Sequence, residues 1–140
     1  MKRFVLDNSV VMAWYFEDEA NAYTAAILES LAASEALVPT VWPLEVANVL
    51  LVGERKGRGT EARTSRFVAL LGALPIRVDA ATSQHALSVI LTLAREQGLS
   101  TYDAAYLELA MREGVPLATQ DKALRRAAEA CGVALAEQVQ

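Results

Sequence analysis

Four acidic residues, each from a separate stretch of this sequence, point most clearly to chemistry. They are Asp7, Glu45, Asp103 and Asp121. Asp7 follows the apolar run of residues 4–6 and Asp121 follows the run 115–118, and ligands of open parallel sheets bind at the carboxyl ends of strands. We therefore predict that the four carboxylates converge on a divalent metal that hydrolyses a phosphodiester.

Each aspartate also has a simpler interpretation as a residue that caps a helix. Asp7 and Asp121 both precede a helical pattern, and aspartate accepts hydrogen bonds from the first free N–H groups of a helix. Asp103 lies three residues after Ser100, a spacing that resembles a capping box with Asp in place of Glu. There the helix dipole would favour the charged carboxylate. Taken singly, these residues leave capping and catalysis both open.

Glu45 is harder to explain by a structural role. It lies in the apolar stretch 42–52, where Glu45 and Asn48 fall about 60° apart around a helix and form the only polar notch. A carboxylate in such a place is costly to bury without a partner, and no arginine is evident nearby in the sequence. We expect Glu45 to face a metal or another group of the site, with Asn48 orienting it.

The type of ligand predicts the type of metal. Four carboxylates within about 5 Å of one another would repel strongly even at an effective dielectric constant near 20, so a cation must offset their charge. Oxygen ligands without Cys or His favour Mg²⁺ or Mn²⁺ and disfavour structural zinc. Such an ion lowers the pKa of a bound water and stabilises the leaving oxygen of a phosphodiester. We therefore predict Mg²⁺ or Mn²⁺ as the cofactor.

The elements that must position these acids alternate between short apolar runs and longer helical patterns. The apolar runs predict strands at residues 4–6, 36–38, 76–78, 115–118 and 133–135. Caps and glycines predict helices over residues 20–33, 41–56, 60–71, 82–97, 102–112 and 122–130. Strands that alternate with helices form a parallel sheet covered on both faces, which is the α/β class. With 140 residues and no repeat or linker, we expect one domain over residues 1–140.

Charge and hydropathy limit the kinds of partner that the protein can bind. A formal net charge of −4 argues against a protein that coats nucleic acid non-specifically. No apolar run approaches the roughly 18 residues of a membrane span, so we expect a cytoplasmic protein that does not enter the membrane. Five basic residues nevertheless form either one candidate RNA-contacting surface or an ordinary solvated helix exterior: Arg55, Lys56, Arg58, Arg63 and Arg66.

Taken in order, four segments resemble the motifs of PIN-domain nucleases, in particular the VapC-like toxins of bacterial toxin–antitoxin pairs. They are residues 4–9 with Asp7, the helix that carries Glu45 and Asn48, residues 99–107 with Asp103, and residues 117–122 with Asp121. The resemblance implies a PIN-like fold, with a five-stranded parallel sheet sandwiched between helices, and an endoribonuclease that depends on Mg²⁺ or Mn²⁺. It also implies a homodimer and a small antitoxin protein that blocks the site.

The resemblance further implies roles for individual residues. Asp7 and Asp103 match direct metal ligands, whereas Glu45 and Asp121 match acids that bind directly or through water. Ser9 and Thr119 match positions where the family often carries a hydroxyl near the metal. We expect these two hydroxyls to donate hydrogen bonds to the carboxylates.

Other protein classes fit the residues less well. Phospho-aspartyl phosphatases require a second Asp where Ser9 stands, and receiver domains require paired acids where Asn8 stands beside Asp7. A PIN-like module that binds RNA or protein without catalysis is the remaining alternative, but such modules usually lack one or more of the acids. His85, the only histidine, is a tempting general base, yet we interpret it as an ordinary helix residue because a metal already supplies that function.

Overall fold

The computed structural model describes residues 2–137 and consists of a small sheet flanked by helices. The strands are β1 (Lys2–Leu6), β2 (Ser34–Val38), β3 (Ile76–Val78) and β4 (Leu117–Ala118). The α-helices are α1 (Asn8–Ala13), α2 (Ala22–Ser30), α3 (Trp42–Arg55), α4 (Glu61–Ala73), α5 (Thr82–His85), α6 (Leu91–Gln97), α7 (Thr101–Glu113) and α8 (Lys122–Ala130). A 3-10 helix spans Glu17–Glu19, and a π-helical segment, Ala86–Ile90, joins α5 to α6. The predicted α/β class is confirmed.

All strand pairs in the sheet are parallel, and the strand order is β3-β2-β1-β4. β1 pairs with β2 through Phe4 and Ala36, and with β4 through Val5 and Leu117. After β1 the chain builds β2 and β3 on one side and later places β4 on the other. The strand order therefore reverses between β1 and β4, and the carboxyl ends of these two strands border the crevice where α/β proteins bind ligands.

The fifth predicted strand, residues 133–135, is reduced to a single bridge. Leu117 and Leu135 form a parallel bridge, in which Leu117 N–H donates to Ala134 O at 2.9 Å and Ala136 N–H donates to Leu117 O at 2.8 Å. β4 has only two residues and so offers little backbone for a further neighbour to pair with. Over residues 2–137 the predicted count of five strands is corrected to four.

The hydrophobic core lies on the sheet and beneath the helices that cover it. β1 is buried from Phe4 to Leu6, and α7 is buried along residues 104–110 because it packs against β1, β4, α6 and α8. Tyr106 of α7 is the largest fully buried side chain. Since these buried side chains form one continuous cluster from Phe4 to Ala136, we propose that residues 1–140 fold as one domain.

No helix within residues 2–137 has the length and apolar character needed to cross a membrane.

The α3–α4 turn is fixed against the segment that follows α1. Arg58 Nη2 lies 3.0 Å from Asp18 Oδ1, and its guanidinium stacks 4.0 Å from the ring centroid of Phe16. Next to it, a Cβ on Gly59 would clash with the hydroxyl of Tyr15, so a side chain at residue 59 would require the Tyr15 ring to shift. That hydroxyl is buried and has no hydrogen-bond partner among the described residues.

A second polar cluster joins the end of α7 to the turn after β3. Arg112 Nη2 lies 2.8 Å from Asp79 Oδ2, and Arg112 Nε donates to Glu108 Oε2 at 2.8 Å. Thr82 Oγ1 also donates to Asp79 Oδ2, at 2.9 Å. The Arg112 guanidinium, followed by the Thr82 hydroxyl, holds the pKa of the Asp79 carboxyl below its ordinary value. These contacts hold the end of α7 against the turn after β3.

Candidate active site

Asp7 lies at the centre of the candidate site and is only 5% exposed. It caps α1, and its Oδ2 accepts hydrogen bonds from Ser9 Oγ at 2.7 Å, Thr119 Oγ1 at 2.7 Å and Ser9 N at 3.4 Å. Burial raises the pKa of Asp7 above its ordinary value, and the donors on Ser9 and Thr119 lower it part of the way back. The site therefore holds a buried carboxylate whose charge is only partly compensated by the protein.

The hydroxyls of Ser9 and Thr119 connect the two segments that end β1 and β4. Each hydroxyl has one proton, which it donates to Asp7. Each also accepts a hydrogen bond from a backbone N–H: Ser9 Oγ from Gln120 N at 3.0 Å, and Thr119 Oγ1 from Asp121 N at 3.0 Å. Gln120 Nε2 adds a hydrogen bond to Ser9 O at 3.1 Å. Residues 7–9 and 119–121 are thus held together by an ordered set of hydrogen bonds around one carboxylate.

Glu45 enters the site from α3 and is oriented by a residue that we did not predict. Tyr106 Oη donates to Glu45 Oε1 at 2.5 Å, whereas the Asn48 side chain is exposed and makes no hydrogen bond within residues 2–137. Burial raises the pKa of Glu45, the Tyr106 hydroxyl lowers it, and the negative charges of Asp7 and Asp103 raise it further. The predicted notch of Glu45 and Asn48 is therefore replaced by a contact between α3 and α7.

Sequence reasoning missed Tyr106, although a signal for it was present. Tyr106 follows Asp103 by three residues in a predicted helix, which places both side chains on one face. A tyrosine buried in a helix needs a partner for its hydroxyl. Together these facts identify Tyr106 as a residue that can reach whatever Asp103 faces.

Asp103 and Asp121 complete the set at two helix N-termini. Asp103 is half-buried in the first turn of α7, where Ser100 Oγ accepts a hydrogen bond from its N–H at 3.1 Å. Burial is the main cause that raises the pKa of Asp103, and the negative charges of Asp7 and Asp121 raise it further. Asp121 is exposed and caps α8 through Oδ1, which accepts from Leu124 N at 2.8 Å. Glu45 thus lies close enough to Asp7 and Asp103 to be influenced by their charges, and Asp103 is influenced in the same way by Asp7 and Asp121.

Capping and a shared acidic site turn out to be compatible. Asp7 caps α1 with Oδ2 and Asp121 caps α8 with Oδ1, so each cap engages one of the two carboxylate oxygens. Within the described part of the chain, no three Asp, Glu, His or Cys side chains are arranged as a ready-made metal site. The acids are therefore electrostatically coupled, but their oxygens are not already gathered around one point.

The predicted basic surface divides into two parts. Arg58 engages Asp18, and Arg63 donates to Tyr15 O at 3.1 Å while its guanidinium stacks on the Tyr15 ring. The other three have exposed side chains that make no hydrogen bond or ion pair within residues 2–137: Arg55, Lys56 and Arg66.

Comparison with known proteins supplies a family and two similar folds. The family profile described as "PIN domain" matches residues 4–130. PAE2754 from Pyrobaculum aerophilum is 24% identical, with a TM-score of 0.65 over 90% of this chain and 79% of that chain. VapBC2 from Rickettsia felis, in a structure described as bound to a DNA fragment from their promoter, is 15% identical, with a TM-score of 0.64 over 96% of this chain and 97% of that chain. At these identities the two structures show a shared fold alone. No curated protein matches the sequence.

Proposed function

Because the chain belongs to the PIN domain family, we propose that it is a Mg²⁺- or Mn²⁺-dependent endoribonuclease and the toxin of a toxin–antitoxin pair. The family prediction made from the four motifs is confirmed, and PIN domains are generally nucleases. The metal, the RNA substrate and the role of each acid are what we propose beyond family membership.

The observation that carries this proposal is the repulsion that links the four acids pair by pair: Asp7 and Asp103 act on Glu45, and Asp7 and Asp121 act on Asp103. Burial and then the charges of its neighbours raise the pKa of Asp103, and burial together with Asp7 and Asp103 raises that of Glu45. A protein gains nothing in stability from such an arrangement, so a cation that relieves it is the simplest reason for its presence. Carboxylate oxygens without Cys or His match the donors that Mg²⁺ and Mn²⁺ prefer.

The residues of this chain divide the work of holding the ion. Asp7 and Asp103 bind it directly, and Glu45 and Asp121 bind it directly or through water. Ser9 and Thr119 keep the Asp7 carboxylate in one orientation by their 2.7 Å hydrogen bonds. When bound, the ion supplies a water of lowered pKa and charge stabilisation for the phosphate. Neither Asn48 nor His85 is needed for this division of roles.

RNA contacts are proposed for the exposed basic residues near the α3–α4 turn. Arg55, Lys56 and Arg66 have no ion pair within the described residues, so their charges are available to phosphates. Arg58 and Arg63 contribute less, because they already contact the segment after α1. A protein with a net charge of −4 then approaches RNA through one local surface.

The partners follow from the same proposal. The VapBC2 structure is similar over 96% of this chain and supports a cognate antitoxin as a partner. That this antitoxin covers the acidic crevice is part of our proposal. We also propose a homodimer, and we place the protein in the cytoplasm, where its RNA substrate and its antitoxin are found together.

The test is RNA cleavage by three forms of the protein in Mg²⁺ or Mn²⁺. The native protein should cleave RNA and lose activity in EDTA, and Asp7→Asn should lower the rate by at least about 100-fold, because it removes a proposed ligand. The matched control is Glu17→Gln, which removes an exposed carboxylate in the 3-10 helix and should cleave like the native protein. Melting with and without metal gives a second readout, since a bound cation stabilises the native state and should do so less in Asp7→Asn.

The outcomes separate the alternatives. Equal cleavage by the native protein and Asp7→Asn would mean that the acids do not carry the activity. RNA binding without cleavage, and without any change in melting on addition of metal, would favour the catalytically silent PIN-like module that binds RNA or protein.

A further inference from the structure

Tyr106 connects the hydrophobic core to the candidate site. It is 1% exposed, and it lies one helical turn after Asp103 on α7. Its ring packs among core residues, while its hydroxyl reaches across to α3 and donates to Glu45 Oε1 at 2.5 Å. Burial and the adjacent carboxylates raise the pKa of Tyr106 far above its ordinary value, so the phenol keeps its proton and acts as the donor.

Glu45 needs such a contact because nothing else in the described residues holds its carboxylate. Its side chain is half-buried, long and repelled by Asp7 and Asp103. Over residues 2–137, Tyr106 is its one hydrogen-bond donor, and the bond involves Oε1. An unrestrained Glu side chain samples several rotamers, and repulsion favours those that point away from the other acids. The Tyr106 hydroxyl opposes this tendency.

We propose that Tyr106 is a positioning residue for the proposed reaction. Its hydroxyl fixes Oε1 of Glu45 and leaves Oε2 available to a divalent cation or to a water bound to that cation. The inference rests on the proposed function, because Glu45 has a cation to bind only if the site holds one. Tyr106 does not contact the ion in this proposal, and its whole effect passes through Glu45.

The variant that isolates the hydroxyl is Tyr106→Phe, which keeps the buried ring. Mn²⁺ affinity, measured by electron paramagnetic resonance or calorimetry without RNA, should fall by about tenfold, the lower end of the effect of losing a group that orients a metal ligand. RNA cleavage at subsaturating Mn²⁺ should fall in parallel. The matched control is Tyr15→Phe, which also removes a buried tyrosine hydroxyl, but one that has no hydrogen-bond partner within residues 2–137. It should bind Mn²⁺ like the native protein.

A double-mutant cycle with Glu45→Gln distinguishes positioning from a general effect on the fold. If Tyr106 acts through Glu45, adding Tyr106→Phe to Glu45→Gln should change Mn²⁺ affinity by less than about twofold. A tenfold loss in both backgrounds would mean that the hydroxyl supports the fold, and it would overturn the inference. Urea unfolding of each variant confirms that the proteins compared are folded.

The remaining outcomes separate this inference from the proposed function. Native affinity for Mn²⁺ in Tyr106→Phe would overturn the positioning role and leave the metal-dependent nuclease intact. A native protein that neither binds Mn²⁺ nor cleaves RNA would overturn the proposed function and this inference with it.

Discussion

Replacing Thr119 by valine tests the hydrogen bonds that hold Asp7 in place. Thr119 is fully buried, and its hydroxyl donates to Asp7 Oδ2 at 2.7 Å and accepts from Asp121 N at 3.0 Å. Valine has nearly the same shape but can make neither hydrogen bond. The substitution therefore removes one charge-assisted hydrogen bond and one neutral one while leaving the packing almost unchanged.

The expected loss of stability follows from these two bonds. A hydrogen bond to a charged group contributes about 1.5–3 kcal/mol, and a typical neutral one about 0.5–1.5 kcal/mol. The Asp7 carboxylate is buried, so water replaces the lost donor poorly, whereas Asp121 is exposed and its N–H is closer to solvent. We therefore expect Thr119→Val to lower the free energy of unfolding by about 2–4 kcal/mol at pH 7.

The assay is urea unfolding of Thr119→Val beside Thr119→Ser. Serine keeps the hydroxyl and loses one methyl group, for which we expect a cost of about 1 kcal/mol. The valine variant should therefore be less stable than the serine variant by at least about 1 kcal/mol. If valine is no more destabilising than serine, the hydroxyl does not stabilise Asp7, and the reasoning from the 2.7 Å contact is wrong.

Two further predictions concern contacts outside the site. Arg112 is the chief cause of the lowered pKa of Asp79. Ionised Asp79 therefore contributes its full share to the free energy of unfolding above the ordinary Asp pKa, and this share disappears as the pH falls through the lowered pKa of the folded protein. Asp79→Asn should thus destabilise the protein by about 1–3 kcal/mol at pH 7 but much less at pH 2, as measured by urea unfolding, and an equal effect at both would refute the assignment. Gly59→Ala should cost about 1–3 kcal/mol because its Cβ would meet the Tyr15 hydroxyl. In unfolding experiments, adding Tyr15→Phe to Gly59→Ala should recover part of that loss. If the effects of the two substitutions on the free energy of unfolding were strictly additive, the clash with the Tyr15 hydroxyl would not be its cause.

Local patterns predicted most of the secondary structure. The strand positions followed from apolar runs, and Thr60 and Ser100 cap α4 and α7 as expected. The helix predicted over residues 122–130 has those bounds in the structure. These features depend on near neighbours in sequence, which is why one sequence suffices to find them.

The missed elements lack a local pattern of that kind. α1, Asn8–Ala13, is buried along residues 10–13 and so has no polar face to produce helical periodicity. The π-helical segment Ala86–Ile90 widens a helix that the sequence predicted as continuous, and composition carries no sign of this. The prediction of a fifth strand was wrong for the opposite reason. The apolar residues 133–135 suit a strand, but within residues 2–137 they pair at one position only.

For the candidate site, the acids could be predicted but their partners could not. The four carboxylates were predicted from their types and from the family resemblance, and the structure brings Glu45 within electrostatic reach of Asp7 and Asp103, and Asp103 within reach of Asp121. The contact of Tyr106 with Glu45 joins residues 61 positions apart, and that of Arg58 with Asp18 joins residues 40 apart. Such pairs depend on how helices pack, which spacing along the chain does not reveal. The roles of the acids in metal binding stay predictions.

The position of β4 beside β1 also affects when the site can form during synthesis. Asp7 is made 112 residues before Thr119, whose hydroxyl orients it, and Asp121 likewise follows β4, the strand that pairs with β1. A nascent chain that lacks residues 117–121 has neither the neighbouring strand nor two groups of the site. Until residues 117–121 have been made, Asp7 therefore lacks the Thr119 hydroxyl that orients it, and the set of four acids is incomplete.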